Sequence, residues 1–420
     1  MMLSAIVLTF IVGYLLIILE KNISVNKAAF SLLTGVLCWV IYILGSNNPE
    51  LINLQLSHHI SEIAGILFFL LGAMTIVELI DLHNGFEVIT SLITTTNKRK
   101  LLWIISFSAF FLSAILDNLT TAIIMTSLSR KLIGDKHERM YVLGIVIIAA
   151  NAGGVWSPIG DVTTTMLWMN NKITALNIIK TLFLPGLVCF ALPTFLASFK
   201  LKGHTERIEK KEFSSVEKRE RNLVFFTGIA ALLFVPAFKN STHLPPYMGV
   251  LFGLAILWMI TEIIHRKKET VQKEQLSVAS AIQKTDVPSI LFFLGILAAI
   301  AVLDCTGILK GLAHGLNETN ANQNTIVLLI GLISSIVDNV PLVAAGMGMY
   351  DFPTDHSFWE FLAYTTGTGG SCLIIGSAAG VAVMGLEDIS FTWYLKNISW
   401  LALLGFVAGS GVFILNLKMC

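Results

Sequence analysis

Asp117-Asn118 and Asp338-Asn339 are two acidic-amide pairs, each set in a stretch without other charge: SAILDNLTTAIIM over 113–125 and SSIVDNVPLVAAG over 334–346. A lone carboxylate in lipid costs about 2.5–3.5 kcal/mol on insertion scales, so it survives by facing a polar cavity and usually has a task there. Two copies in matching contexts, 221 residues apart in a chain of 420, suggest one site built from two halves. The plainer alternative is a hairpin-tip cap, because Asp-Asn is a favourable N-cap and turn pair. The two roles are compatible.

A glycine-rich segment follows each pair: AANAGGVWSPIGDVTTT over 149–165 and TTGTGGSCLIIGSAAG over 365–380. Glycine and proline weaken helices, and Pro158 also removes a backbone donor, which predicts unwinding in both segments. Unwound backbone at membrane depth is tolerated where it lines a cavity, and its free carbonyls can hold a cation. A kink or a tight helix crossing is the alternative.

The first half thus collects Asp117, Asn118, Thr120, Thr121, Asn151, Ser157, Asp161, Thr163 and Thr164, and the second Asp338, Asn339, Thr366, Thr368, Ser371 and Ser377. These are oxygen donors suited to a hard cation, with no thiolate or imidazole among them. Asp161 aligns with Ser377, so the first half carries two carboxylates and is the better place for a cation to compete with protons. Burial raises a carboxylate's pKa and a nearby cation lowers it, so one Asp can hold either a proton or a metal ion.

Positioning these residues requires a membrane fold. Hydrophobic residues make up 55% of the chain and charged ones 13%, and several uncharged runs approach the ~17–25 residues of a membrane helix. Crossings are expected at 2–19, 28–45, 63–81, 140–169 (interrupted), 173–199, 222–238, 246–264, 287–304, 359–385 (interrupted) and 391–416. The first segment lacks a basic n-region and a small-residue cleavage site, and reads as a retained helix. Between the crossings, 101–130 and 325–350 each form a pair of short apolar arms of about 10–16 residues, too short to span about 30 Å at 1.5 Å per residue. Re-entrant hairpins with Asp-Asn at the tip fit better.

The chain repeats internally. FFLLGAMTIVELID (68–81) matches FFLGILAAIAVLD (292–304), and Gly153, Gly154 and Gly160 fall on Gly369, Gly370 and Gly376. Two halves follow, 1–200 and 221–420, joined by a charged linker over 201–220. Each holds five crossings and a hairpin, and an odd number of crossings inverts the second half. The expected fold is an all-α polytopic membrane protein of two inverted-topology repeats, with about ten transmembrane helices, two re-entrant hairpins and two interrupted helices. By this topology 23 of the 28 Lys and Arg lie on one side, which the positive-inside rule makes cytoplasmic, with both termini outside.

Other features carry less. The five cysteines lack metal spacing and read as small core residues. His58, His59 and His83 read as solvated or capping residues near helix ends, and Glu262 as an interfacial partner of Arg266. Glu78, Asp81 and Asp304 have no assigned role.

DNLTTA at 117–122, NAGGVWSPIGDVTT at 151–164, DNVPLVAA at 338–345 and GTGGSCLIIGSAAG at 367–380 resemble, in order and over nearly the whole chain, the NhaD-type sodium/proton antiporters of the ion transporter superfamily. The resemblance implies efflux of Na+, often also Li+, driven by inward H+ across the cytoplasmic (inner) membrane. It also implies a homodimer in the bilayer with scaffold and transport domains and an elevator-like movement. No cofactor and no nucleic-acid partner are expected. The superfamily's dicarboxylate carriers have Ser-Asn-Thr at the tips, where this chain has Asp-Asn-Leu and Asp-Asn-Val. Carried over by motif, Asp117, Asn118, Asn151, Asp161, Thr163 and Thr164 form the principal site, with Na+ at the first four, and Asp338, Asn339, Ser371 and Ser377 the opposite half.

Two further readings stand beside this one. An organic or inorganic anion carrier on the same fold is opposed by Asp at both tips. An intramembrane aspartyl protease would use a proton-sharing pair of Asp residues, but here Asp-Asn is duplicated and Asp161 follows Ile-Gly.

Overall fold

Helix boundaries in the computed structural model fall where the local chemistry places caps. The structure describes residues 2–90, 93, 95–205, 215–266, 268–318 and 322–419; the middle of the charged linker and Cys420 lie outside them. Asn48 caps Pro49–Leu82 with proline in the first turn, Asn97 caps Lys98–Leu116, and Asp135 caps Lys136–Gly154. Each side-chain oxygen satisfies amide donors that the helix leaves free.

Among the described residues, eight helices are long and apolar enough to cross a membrane. Seven coincide with expected crossings. The expected first crossing, Met2–Ile18, is a 17-residue helix, and both interrupted segments appear as two helices each: Lys136–Gly154 with Val162–Met169, and Ser357–Gly369 with Ala378–Glu387. Leu8, Leu33, Phe226, Met259 and Val407 are exposed on the outside, an apolar surface that belongs against lipid. The chain is an all-α polytopic membrane protein.

The eighth long helix is Lys98–Leu116, 19 residues against an expected short arm. Length alone would let it cross, but hydrogen bonds return its hairpin to the starting end. Thr205 donates its amide to the Thr96 carbonyl at 2.8 Å, just before the first arm, and its hydroxyl to the Leu132 carbonyl at 3.1 Å, the last residue of the second arm, Asn118–Leu132. Lys98 also reaches Glu138 at 2.6 Å. This end is basic: Arg130 and Arg139 converge on the buried Glu387, and Lys131 pairs with Glu87.

Matching contacts recur in the two halves. Ser113 donates to the Ala150 carbonyl and Ser334 to the Thr366 carbonyl, both at 2.6 Å. A Cβ on Gly153 would collide with the Phe110 carbonyl, and one on Gly369 with the Gly331 carbonyl. Each interrupted helix therefore lies against a hairpin arm at a distance only glycine permits. Gly153→Ala and Gly369→Ala are expected to cost about 1–3 kcal/mol each, because a backbone atom cannot move aside as a side chain can. Gly385→Ala, with open space around it in a helix, should be neutral or gain about 0.5–1 kcal/mol. Thermal unfolding in detergent would compare the three, and equal melting temperatures would refute the close-packing account.

Helices gather into two packing groups. Lys27–Leu44 lies most closely on Val287–Cys305, with Met2–Ile18, Pro49–Leu82, Pro246–His265 and Ser215–Thr242 around them. Ser31 donates to the Phe292 carbonyl at 2.7 Å and the Trp39 indole to the Ala298 carbonyl at 3.0 Å. The other group joins the hairpins and interrupted helices with Ala175–Ser198 and Ser399–Met419.

Three lesser expectations change. Pro49–Leu82 begins well before residue 63, so His58 and His59 lie within a helix. His83 does cap that helix but is buried, its ring stacked on His265 with the Nε2 atoms 3.1 Å apart. Glu262 pairs with Lys273 at 3.1 Å, where Arg266 was expected. Cys38, Cys189 and Cys372 are buried and free, while Cys305 is partly buried and meets His59 at 3.3 Å.

Candidate ion-binding site

Asp161 stands where the two Asp-Asn tips meet. It lies at the end of the unwound 155–161 segment, is 2% exposed, and caps Val162–Met169 by accepting from the Thr163 amide at 2.9 Å. The Thr163 hydroxyl donates to the same oxygen at 2.8 Å. The Asn118 amide, from the tip of the first hairpin, donates to Oδ2 at 2.9 Å. The Asn339 amide, from the tip of the second, donates to both oxygens at 3.2 and 3.3 Å. One carboxylate thus takes hydrogen bonds from both repeated Asp-Asn pairs.

The network continues through Asn151, which accepts from Asn118 at 3.0 Å and donates to the Ser371 hydroxyl at 2.8 Å. Ser371 belongs to the unwound part of the second interrupted segment, and Tyr394 holds its carbonyl at 2.8 Å.

Asp117 bends the first hairpin. Its backbone has φ 87° and ψ 162°, a conformation that glycine takes readily and other residues hold at about 1–3 kcal/mol of strain. Its carboxylate accepts from the Thr120 amide at 2.8 Å and the Thr120 hydroxyl at 2.9 Å. Asp338, with an unstrained φ of −52°, caps its own arm through the Val340 amide at 3.2 Å. Both tip aspartates are therefore caps, as the plainer reading has it. Asp117 and Asp161 also line one small cavity, closed by Phe69, Leu70, Ala73 and Met74 of the long Pro49–Leu82 helix. Its volume is about 20 Å³, room for one water-sized guest.

Known transporters resemble this chain over most of its length. A family model described as citrate transporter matches residues 14–367. Sodium/proton antiporter 1 of Arabidopsis thaliana is 46% identical over 415 residues, covering 98% of this chain and 72% of that protein. The Na(+)/H(+) antiporter NhaD of Vibrio cholerae is 31% identical over 434 residues, covering 96% and 89%. The chain belongs to this family, in its NhaD-type branch. Sodium/proton antiporter 2 of Arabidopsis thaliana, 46% identical, is covered over 97% of its length. An NhaD-type chain is a transporter and not an enzyme, which disposes of the protease reading.

Not every predicted residue of this NhaD-type chain reaches the centre. Thr164 donates to the Asp161 carbonyl at 2.9 Å and so buttresses the site from behind. Ser157 accepts the Ile159 amide within its own turn, and Ser377 caps Ala378–Glu387 through the Gly380 amide at 3.1 Å. Thr366 and Thr368 donate back to carbonyls of their own helix. Thr121 is buried with its hydroxyl unpartnered.

One neighbour escaped the sequence reading: Lys27 lies 3.6 Å from Asp338. It carried a weak signal. Lys27 opens the Lys27–Leu44 helix, where a positive charge opposes the helix dipole and calls for compensation.

Proposed function

We propose that the chain exchanges cytoplasmic Na+, with Li+ as an alternative cargo, for external H+ across the cytoplasmic membrane. The observation that carries this reading is the single-ion cavity between Asp117 and Asp161, with Asn118 bonded to Asp161 and Asn151 one bond further on. Small hard cations favour such oxygen ligands. An anion such as citrate would meet two carboxylates at the cavity, Asp117 and Asp161. The relatives' names as sodium/proton antiporters point the same way.

Proton and cation would alternate on the carboxylates. With Na+ at Asp117, Asn118, Asn151 and Asp161, the acids are ionised; when the ion leaves, protonation restores neutrality. The amides of Asn118 and Asn339 hold Asp161 in place through both states. Contacts between the two packing groups, chiefly Asn339–Met349 on Val287–Cys305, are fewer than those within each group, which suits an elevator-like movement of the hairpin group against a scaffold. The halves 1–200 and 221–420 would be inverted repeats about this site, with the basic end cytoplasmic and both termini outside. A homodimer is the assembly we expect.

The test is pH-sensitive fluorescence in proteoliposomes under an imposed proton gradient, with Na+, Li+, K+ and citrate added in turn. Dissipation by Na+ or Li+ alone is expected. A response to citrate with none to Na+ would move the chain to an anion-carrier function.

A further inference from the structure

We infer that Lys27 is a built-in competitor for the transported cation, occupying the second tip carboxylate, Asp338, whenever the ion is absent, and so setting the apparent Na+ affinity. This rests on the exchange reading above. The two tips share a sequence motif but not an environment. Near Asp117 and Asp161 the partners are amides and hydroxyls. Asp338 instead faces an ammonium group at 3.6 Å, with the lysine side chain 29% and the carboxylate 19% exposed.

That ammonium is held in position. Its Nζ lies 4.4 Å from the centre of the Phe292 ring, a cation–π contact, and the Lys27 amide donates to Glu20 Oε1 at 3.0 Å, fixing the start of the helix. Asp338 is coupled to the ion site through its neighbour, since Asn339 donates to both oxygens of Asp161. A cation arriving at Asp161 pulls on Asn339 and brings its charge near the Asp338 tip, where a second positive charge is disfavoured. The lysine must then swing away, and its side chain, 29% exposed, is not fully enclosed.

The pair also bridges the two packing groups. Lys27 begins a helix packed on Val287–Cys305, while Asp338 joins the two arms of the second hairpin, Gln323–Ile333 resting on Ser357–Gly369 and Asn339–Met349 wedged between Ser357–Gly369 and Val287–Cys305. Any displacement of the hairpin along the scaffold breaks it. Cation binding that expels Lys27 would therefore release the hairpin as well as load it.

Lys27→Gln removes the competitor and should lower the Na+ KM of exchange by about three- to tenfold, as expected for a partly exposed ion pair, with the maximal rate changed far less. Lys27→Arg keeps the charge and pairs with carboxylates at least as well, so its KM should equal or exceed that of the wild type. Both are read in proteoliposomes from protein that elutes monodisperse; a merely structural role would lower the rate of both variants without splitting their KM values in opposite directions. An unchanged or raised KM for Lys27→Gln, with wild-type exchange intact, would overturn the inference. Should Lys27→Gln not fold, Lys27→Arg alone decides, and a KM below wild type overturns it. A wild type silent to Na+ would instead defeat the exchange reading itself.

Discussion

Asp161→Asn is expected to reduce Na+-dependent proton movement in proteoliposomes at least about a hundredfold, because the buried pair that Asp161 would form with bound Na+ loses a member, a loss that costs about 3–5 kcal/mol, and each 1.4 kcal/mol is a factor of ten. Among the described residues, Asp161 is the one carboxylate bonded to both hairpin tips, so the loss should fall on ion binding from either tip. Asp161→Ser separates charge from architecture. Ser377 occupies the aligned position and caps its helix as a serine, so a serine at 161 should keep the Val162–Met169 cap while discarding the charge. Its Na+ affinity should fall with little change in melting temperature.

The pH dependence has a definite sign. A carboxylate that must ionise to hold Na+ loses the ion as protons compete, so the wild-type KM should rise as pH falls between about 9 and 6. Without a titratable group at 161 that dependence should flatten. An apparent affinity for Asp161→Ser that matches wild type across this range would remove Asp161 from the ion path.

For Asp117 the backbone supplies a second handle. Asp117→Asn should abolish exchange and leave the protein folded and inserted, since asparagine caps as well as aspartate and adds no strain beyond what aspartate already holds there. Asp117→Gly should be equally inactive yet more stable. Glycine relieves about 1–3 kcal/mol of strain at φ 87° and gives up only a few tenths of a kcal/mol as a cap. Inactivity joined to a higher melting temperature would show that the strained tip is kept for its carboxylate. Near-normal exchange in Asp117→Asn would reduce the residue to a cap.

Much of this arrangement was legible in the chain. Lone acids in apolar surroundings are costly enough to single out Asp117 and Asp338 without a structure, and glycine clusters are weak enough helix formers to show where both interrupted helices would open. Apolar run lengths located the crossings, since a helix must cover the hydrocarbon with a nearly fixed number of residues. The first hairpin arm was misjudged in length because Lys98–Lys100 continues the helix past the apolar run, and an apolar-run count stops at the first charge.

What the tertiary structure alone decided is which of these oxygens meet. Sequence alignment puts Ser377 opposite Asp161 and groups Thr366 and Thr368 with the site, but helix rotation turns those threonines onto their own backbone and leaves Ser377 as a cap. The bonds from Asn118 and Asn339 to one carboxylate depend on two tips converging from opposite halves. So does the approach of Lys27 to Asp338, 311 residues away in the chain. Local residue chemistry determines where a membrane helix can begin, break and turn, because those costs arise within a few residues. Which distant side chains share a cavity follows from how the helices pack, and no local pattern encodes that.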